Sequence, residues 1–329
     1  MKRWELIFVI GAICASVCSA IDLRLPNKKE SFHFAVIGDT GTGGRAQYEV
    51  AAQLTQFHNV FPFEVVLMLG DNIYGSEKPN DFVQKFERPY EQMLKGGVKF
   101  FAALGNHDDP NQRMYKPFNM NGERYYTFKP RDRVRLFSLD SNYLDRKQIE
   151  WLEKELKGSD SDWKMVYFHH PLFSSGEAHG PAEQLRKILE PLFIQNNVSI
   201  VFSGHEHFYE RLKPQKGIYY FIQGGSAKLR IGDIRRTPQS AKGFDKDNSF
   251  ILCEIDGDEM RAGGNEVFMM EVGRMDHVEE ANQGAGAAVE HRQLGGRLAF
   301  GGLDVFGPAV LAAIPHQWSA QVQCAFLTV

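Results

Sequence analysis

The amino-acid sequence predicts an α/β protein built on a mixed sheet or on two packed sheets. Three observations carry that prediction. Short apolar, β-branched runs recur along the chain, of strand length and too brief for helices. Longer segments between many of them repeat apolar residues at helical spacing. Polar loops separate the two kinds of segment, the alternation expected of α/β layering.

Taken in order, residues 32–37 form the first predicted strand, closed by Gly38-Asp39-Thr40-Gly41. Residues 45–58 place Val50, Ala51, Leu54 and Phe57 on one helical face. The apolar run 63–69 is the second strand, followed at once by Gly70-Asp71-Asn72-Ile73-Tyr74. A helix is predicted over 81–94, with Asp81 near its start, and a strand over 98–104 ends in Gly105-Asn106-His107-Asp108. Beyond a polar loop with Pro110 and Pro117, residues 125–128 and 134–139 are two more strands. Residues 145–156 form a helix with Ile149, Leu152 and Leu156 on its apolar face and Gly158 ending it. The strand 163–168 runs into His169-His170-Pro171, and the helix 182–195 is expected to bend or break near Pro191. Residues 198–202 lead into Gly204-His205-Glu206-His207, and 219–222 and 250–255 complete the strands.

The two ends of the chain differ from this pattern. Lys2 and Arg3 precede an apolar stretch over 6–17, and Cys18-Ser19-Ala20 supplies small residues for cleavage. Residues 1–20 therefore read as a secretory signal peptide, too short for a comfortable membrane span. An exported protein, secreted or periplasmic, is expected. Residues 21–261 form one domain, large enough to fold without disulfides or structural metals. From 262 to 329 no lysine occurs, glycine and alanine become frequent and no period emerges. That segment is expected to be a weakly ordered or appended tail. Cys14 and Cys18 leave with the signal, and Cys253 and Cys324 are too few for a disulfide framework. A net charge of -3 gives no electrostatic reason to expect nucleic acid or an anionic membrane as partner.

Five strand ends carry Gly-Asp39, Gly-Asp71-Asn72, Gly-Asn106-His107-Asp108, His169-His170-Pro171 and Gly-His205-Glu206-His207. Alone, each is a turn former or a helix cap. Their recurrence beyond the carboxyl ends of strands, where α/β folds bind ligands, points to one shared site. Asp71 can use both carboxylate oxygens and so bridge two cations, and Tyr74 can direct its phenol to the same place. A two-metal centre is the expectation. The glycines after Asp39 lack the Gly-Lys-Ser/Thr of a nucleotide phosphate loop. No serine or cysteine sits in a supporting triad pattern.

In this order the blocks resemble the metallophosphoesterase (calcineurin-like) superfamily, over about residues 32–260. Gly70-Asp71-Asn72-Ile73-Tyr74 is similar to the purple acid phosphatases, and the compact layout to their tartrate-resistant type. The stretch Gly204-His-Glu-His-Phe-Tyr-Glu-Arg211 is nearer to the plant and fungal enzymes. The resemblance implies a two-sheet β sandwich flanked by helices, in four αββα layers. It implies that Asp39, Asp71, Tyr74 and His207 hold one metal, and that Asp71, Asn106, His169 and His205 hold the other. Pro171 selects His169 over His170 by the family's His-x-Pro pattern. A phenol with a pKa near 10 ionises readily only against a strong Lewis acid, so the Tyr74 site suits ferric iron. The second donor set suits a divalent zinc, iron or manganese ion.

His107 and His179 are expected to meet the substrate, with Asp108 placed to orient the His107 ring. Glu210 and Arg211 are expected to support the loop after His207. The implied activity is that of an exported acid phosphatase, hydrolysing phosphate monoesters by attack of a metal-bound hydroxide. Two metals about 3.5–4 Å apart would hold nucleophile and leaving group in line. The same cage would serve a phosphodiesterase or nucleotide-pyrophosphate hydrolase, the choice lying in capping loops such as 110–126 and 225–244. A non-catalytic metal- or phosphate-binding protein is the third reading. Expected partners are small phosphorylated substrates, with neither nucleic acid nor, after signal cleavage, membrane.

Overall fold

Every residue of β1 (Phe32–Ile37) is buried, which is why its sequence is apolar without alternation. Phe32, Phe34 and Val36 face one hydrophobic core and Ala35 and Ile37 another, as the two-residue period of a strand requires. A strand covered on both faces needs a layer on each side, and the computed structural model shows what they are. It describes residues 26–235, 237–264, 270–273 and 323–328. The predicted signal peptide and most of the 262–329 tail lie outside the described residues.

In chain order β1 is followed by α1 (Arg45–Val60), β2 (Val65–Met68), α2 (Pro79–Phe82), a π-helical turn at Val83–Glu87 and α3 (Glu91–Lys95). Next come β3 (Lys99–Ala102), β4 (Tyr126–Arg131), β5 (Val134–Ser138), α4 (Arg146–Lys157) and β6 (Trp163–Tyr167). Then follow α5 (Glu183–Gln195), β7 (Ile200–Ser203), β8 (Tyr209–Leu212), β9 (Tyr219–Gln223) and β10 (Ser240–Phe244). The last described strands are β11 (Ser249–Asp256), β12 (Glu259–Gly264), β13 (Met270–Gly273) and β14 (Gln323–Thr328).

The strands form two mixed seven-stranded sheets, one ordered β13-β12-β14-β11-β1-β2-β3 and the other β10-β8-β9-β7-β6-β5-β4. In the first, β1, β2 and β3 are parallel and β11 runs against β1. In the second, β5, β6, β7 and β9 are parallel. Phe34, Val36, Leu67, Leu136, Met165, Tyr167 and Phe202 meet between the sheets. On the outer face of the first sheet Ala35, Ile37, Val66 and Met68 pack on Val50, Leu54 and Phe57 of α1. On the outer face of the second, Phe137, Val166 and Val201 pack on Leu152 and Leu156 of α4 and Leu189 and Phe193 of α5. The layers are αββα, as the motifs implied.

The predicted elements need four corrections. The helix expected over 81–94 is split by the π-helical turn, which puts Phe86 against Phe100 and Phe118 at 5.1 and 4.9 Å between ring centroids. On α4 the buried position falls to Gln148 and not to Ile149, because the Gln148 amide bridges Asp140 and Tyr143. Helix α5 continues through Pro191 without interruption. Strands β8, β10 and β12 were absent from the sequence reading. Charged residues punctuate all three and mask their period.

Candidate metal centre

The parallel strands of both sheets end at the same edge of the sandwich, and the loops leaving them are tied together. Asp39 N–H donates to Gly70 O (3.0 Å) and Gly41 N–H to Asp71 O (3.3 Å), which joins the loops after β1 and β2. Gly204 N–H donates to His169 O (3.0 Å), which joins those after β6 and β7. Asp39, Asp71 and His205 take left-handed backbone angles, φ 56°, 52° and 70°. Such strain in non-glycine residues persists only where the surroundings fix it.

Two glycines let these loops come close. A Cβ on Gly70, itself at φ +94°, would stand 2.6 Å from His169 Nδ1. A Cβ on Gly105 would stand 2.2 Å from both the amide nitrogen and Oδ1 of Asp71.

The side chains expected to hold metal converge. Tyr74 Oη donates to Asp39 Oδ1 at 3.1 Å, and His207 Nε2 lies 3.4 Å from the same oxygen. On the other side of Asp71, His169 Nε2 lies 3.4 Å from Asp71 Oδ1, 2.9 Å from Asn106 Oδ1 and 3.1 Å from His205 Nδ1. Asp71 thus stands between two donor groups, as a bridging carboxylate must. Asp39 and Asp71 are 0% and 1% exposed, two carboxylates buried side by side.

The electrostatics describe a site built for cations. Burial, then the charge of Asp71, pushes the Asp39 carboxyl well above the usual range. Burial, then Asp39 and Asp71, raises the Tyr74 phenol far above its ordinary value. Burial, then the neighbouring His169, His170 and His179, pushes His205 down to about 2. Burial, then Arg230 and Lys228, pushes His207 down to about 4. Burial and His170 lower His169 as well.

The donor set fits two metals. His169 Nδ1 faces the Leu69 carbonyl at 2.9 Å, so the neutral ring carries its proton there and turns the Nε2 lone pair inward. That lone pair confronts Asn106 Oδ1 and Asp71 Oδ1, both acceptors. Acceptors aimed at one another repel unless a cation lies among them.

His170 is drawn to the cluster too, one of its ring nitrogens standing within 4.8 Å of nitrogens of His169 and His205. Ser141 holds it from the far side, with Oγ 2.9 Å from His170 Nδ1. A cavity of about 470 Å³ opens next to it, lined by Asn106, Ser141, Asn142, Tyr143 and Leu185 among others.

His107 and His179 reach the centre by different routes. His107 N–H donates to Asp71 Oδ1 (3.0 Å), and its ring lies 5.0 Å from that of Tyr74. His179 lies with its ring 4.2 Å from that of His205. The role given to Asp108 needs correction. Its carboxylate accepts from the amides of Gly105, Asn72 and Ile73 and from the side chains of Asn72 and Gln112. It braces the two ligand loops, and no hydrogen bond to the His107 ring is formed. Burial and Asp71 push its carboxyl up to about 7.

Four supporting residues were not singled out from the sequence in these roles. Glu206, fully buried between the two histidines of its block, accepts from Ser174 Oγ (2.9 Å) and Gly180 N–H (2.8 Å) and faces Arg230 at 3.7 Å. Asp233 accepts from Ala178 N–H (3.0 Å). Together they fix both flanks of His179. Arg230 lies 3.1 Å from His179 Nε2, and Lys228 sits over the Tyr74 ring. The only sequence cue to Glu206 was its place between two expected ligands. Glu210 was expected to support the loop after His207; its carboxylate instead accepts from Ser175 N–H at 2.8 Å, in the segment before His179.

A two-sheet sandwich with paired carboxylates and imidazoles at its strand ends is the layout of the metallophosphoesterase class. The chain belongs to the calcineurin-like phosphoesterase family, whose pattern it matches over residues 32–209. It is similar to tartrate-resistant acid phosphatase type 5 of Rattus norvegicus, 25% identical over 279 residues, 70% of this chain and 85% of that protein. It is also similar to purple acid phosphatase 5 of Arabidopsis thaliana, 30% identical over 204 residues, 59% of this chain and 48% of that protein. Among solved structures, purple acid phosphatase PPD1 from yellow lupin seeds matches with a TM-score of 0.58 at 19% identity, covering 72% of this chain and 51% of that one. GAP50, the anchor in the inner membrane complex of Plasmodium, matches with a TM-score of 0.59 at 20% identity, covering 70% and 84%. At these identities the structural matches establish the fold.

Proposed function

We propose that the chain is an exported acid phosphatase that hydrolyses phosphate monoesters at a binuclear centre. In this reading Asp39, Asp71, Tyr74 and His207 hold ferric iron, and Asp71, Asn106, His169 and His205 hold a divalent zinc, iron or manganese ion. The observation that carries it is Tyr74, whose hydroxyl donates to Asp39 Oδ1 at 3.1 Å and whose phenol is raised in pKa by burial first and then by Asp39 and Asp71. Such a phenol ionises only against a strongly acidic cation. The similarity to tartrate-resistant and purple acid phosphatases supports the same choice.

When bound, the metals supply Lewis acidity that neutralises phosphate oxygens and acidifies water. The chain's own residues do the rest. The His107 amide holds Asp71 Oδ1 in place, and the ring beside Tyr74 is positioned to meet a phosphate oxygen. Arg230 donates to His179 Nε2, so the proton of neutral His179 sits on Nδ1. The cavity beside Asn106 and His170 offers room for the leaving group. The charge pattern of residues 1–20 supports export. Among the described residues no helix is long and apolar enough to cross a membrane.

The test is metal analysis with a visible spectrum on natively purified protein, followed by rates on an aryl monoester and an aryl diester at acid pH. Iron with a phenolate band and a faster monoester bears the reading out. A faster diester assigns the cage to a phosphodiesterase, and full metal loading without turnover makes the protein a binder.

A further inference from the structure

Lys228 places its ammonium 3.8 Å above the centre of the Tyr74 ring. The side chain is partly buried, and among the described residues no carboxylate lies within ion-pair distance of it. The neighbouring cations differ. Arg230 faces Glu206 and Asp233 at 3.7 and 3.5 Å, and Lys85 is bound by Asp81 at 3.0 Å and by the Tyr74 carbonyl at 2.6 Å. An aromatic face replaces only part of the hydration an ammonium loses.

The backbone around Lys228 is referenced to the metal-binding loops on both sides. Ser226 N–H donates to Gly38 O (3.3 Å) and Ser226 Oγ accepts from Gly38 N–H (3.2 Å), next to Asp39. Arg230 N–H donates to the carbonyl of His207 at 3.0 Å. At the start of the segment, a Cβ on Gly224 would stand 2.8 Å from Asp39 Oδ2. A cation carried between these two ties, over the face of Tyr74 and with no carboxylate at ion-pair distance among the described residues, marks where an anion of the substrate belongs.

We propose that Lys228 is a substrate-binding residue that takes a terminal oxygen of the phosphoryl group on the Tyr74 side of the centre, and that it favours monoesters over diesters. The proposal rests on the hydrolase reading above and specifies how the site selects within it. A monoester offers three non-bridging oxygens and a diester two, so each added oxygen-binding group favours the monoester. An esterified oxygen is a poor acceptor for an ammonium.

The experiment compares metal-loaded wild type with Lys228→Met, Lys228→Gln and Lys228→Arg, each verified to carry the same metal content. Binding of inorganic phosphate is measured by calorimetry, and kcat/KM on an aryl monoester and an aryl diester. Removing the charge is expected to weaken phosphate binding about ten- to a hundredfold, the loss of one charge-assisted hydrogen bond. Monoester kcat/KM falls by a similar factor, the diester value by much less, and Lys228→Arg keeps most of both. Phosphate affinity unchanged in the Met and Gln variants overturns the proposal, even where the visible band of the protein shifts. A parallel fall on both esters overturns the selectivity. If the wild type turns over neither ester, the phosphatase reading fails by itself, and phosphate affinity still decides for or against Lys228.

Discussion

Asp71 Oδ1 lies 3.4 Å from His169 Nε2, and across that gap the end of β2 in one sheet meets the end of β6 in the other. The sandwich core supplies apolar contact along its length, but at this edge the two sheets face each other through donor atoms. Asp71→Ala removes the group common to both sets. The expected result is loss of both metals and a fall in kcat of at least about a thousandfold on an aryl phosphate. Metal content by mass spectrometry, with unchanged far-ultraviolet circular dichroism, checks it. A fully loaded variant with normal turnover would remove Asp71 from the centre.

Tyr74→Phe keeps the ring that Lys228 and His107 approach but removes the hydroxyl bound to Asp39. The proposed ferric iron predicts a visible phenolate band in the native protein, and predicts that Tyr74→Phe abolishes that band while the fold and melting behaviour persist. A band that survives the substitution assigns the colour to another group.

Gly105→Ala drives a methyl group into Asp71, with the amide nitrogen and Oδ1 each 2.2 Å away. Backbone cannot yield as a flexible side chain does. A loss of about 1–3 kcal/mol in stability is expected, with metal affinity reduced. Chemical denaturation with and without chelator measures both effects. Equal stability and full loading would show that the loop after β3 can shift.

Asp108 gives a pH signature in metal-free protein. Burial and then Asp71 push its carboxyl up to about 7, against the pull of its hydrogen bonds to the Gly105, Asn72 and Ile73 amides. Between pH 3.8 and 7 the folded state is therefore expected to keep a proton that the unfolded state releases. The stability this contributes is complete below pH 3.8 and is lost as pH rises through 7. Asp108→Asn cannot release that proton. The melting temperature of wild type relative to the variant is therefore expected to fall between pH 4 and 7.5. A constant difference across that range would show that Asp108 is ionised throughout.

Glu206→Ala frees Ser174 Oγ and Gly180 N–H and leaves Arg230 with Asp233 as its acidic neighbour. The loop carrying His179 loses one of its two anchors. Metal content is expected to stay the same while turnover drops about ten- to a hundredfold, the usual cost of losing a supporting partner. Glu206→Gln, which keeps an acceptor, is expected to recover part of it. Loss of metal in the Ala variant would instead place Glu206 among the groups that hold His205 and His207.

Much of the centre was legible because its ligands follow short apolar strands with no intervening element. Asp39, Asp71, Asn106, His169 and His205 each come within a few residues of a strand end, and the mixed two-sheet core places those ends together. What stayed hidden depends on partners far off in sequence. Asp108 lies beside His107 in the chain, yet its carboxylate serves the amides of Asn72 and Ile73, 36 and 35 residues away. Glu206 stands in the sequence between two expected ligands and Arg230 in no motif at all; their roles appear only when the loop carrying His179 is laid beside them. The buried Glu210 on β8 concealed a strand for the same reason: a charge that is hydrogen-bonded inside looks, in sequence, like one facing water.

The left-handed turns at Asp39, Asp71 and His205 are fixed by hydrogen bonds and close glycine contacts within the chain itself. The positions of the donor atoms are therefore written into the backbone. A side chain added at Gly70, Gly105 or Gly204 is felt first at His169, Asp71 or Asp39 respectively, although no ligand residue has been changed in the sequence.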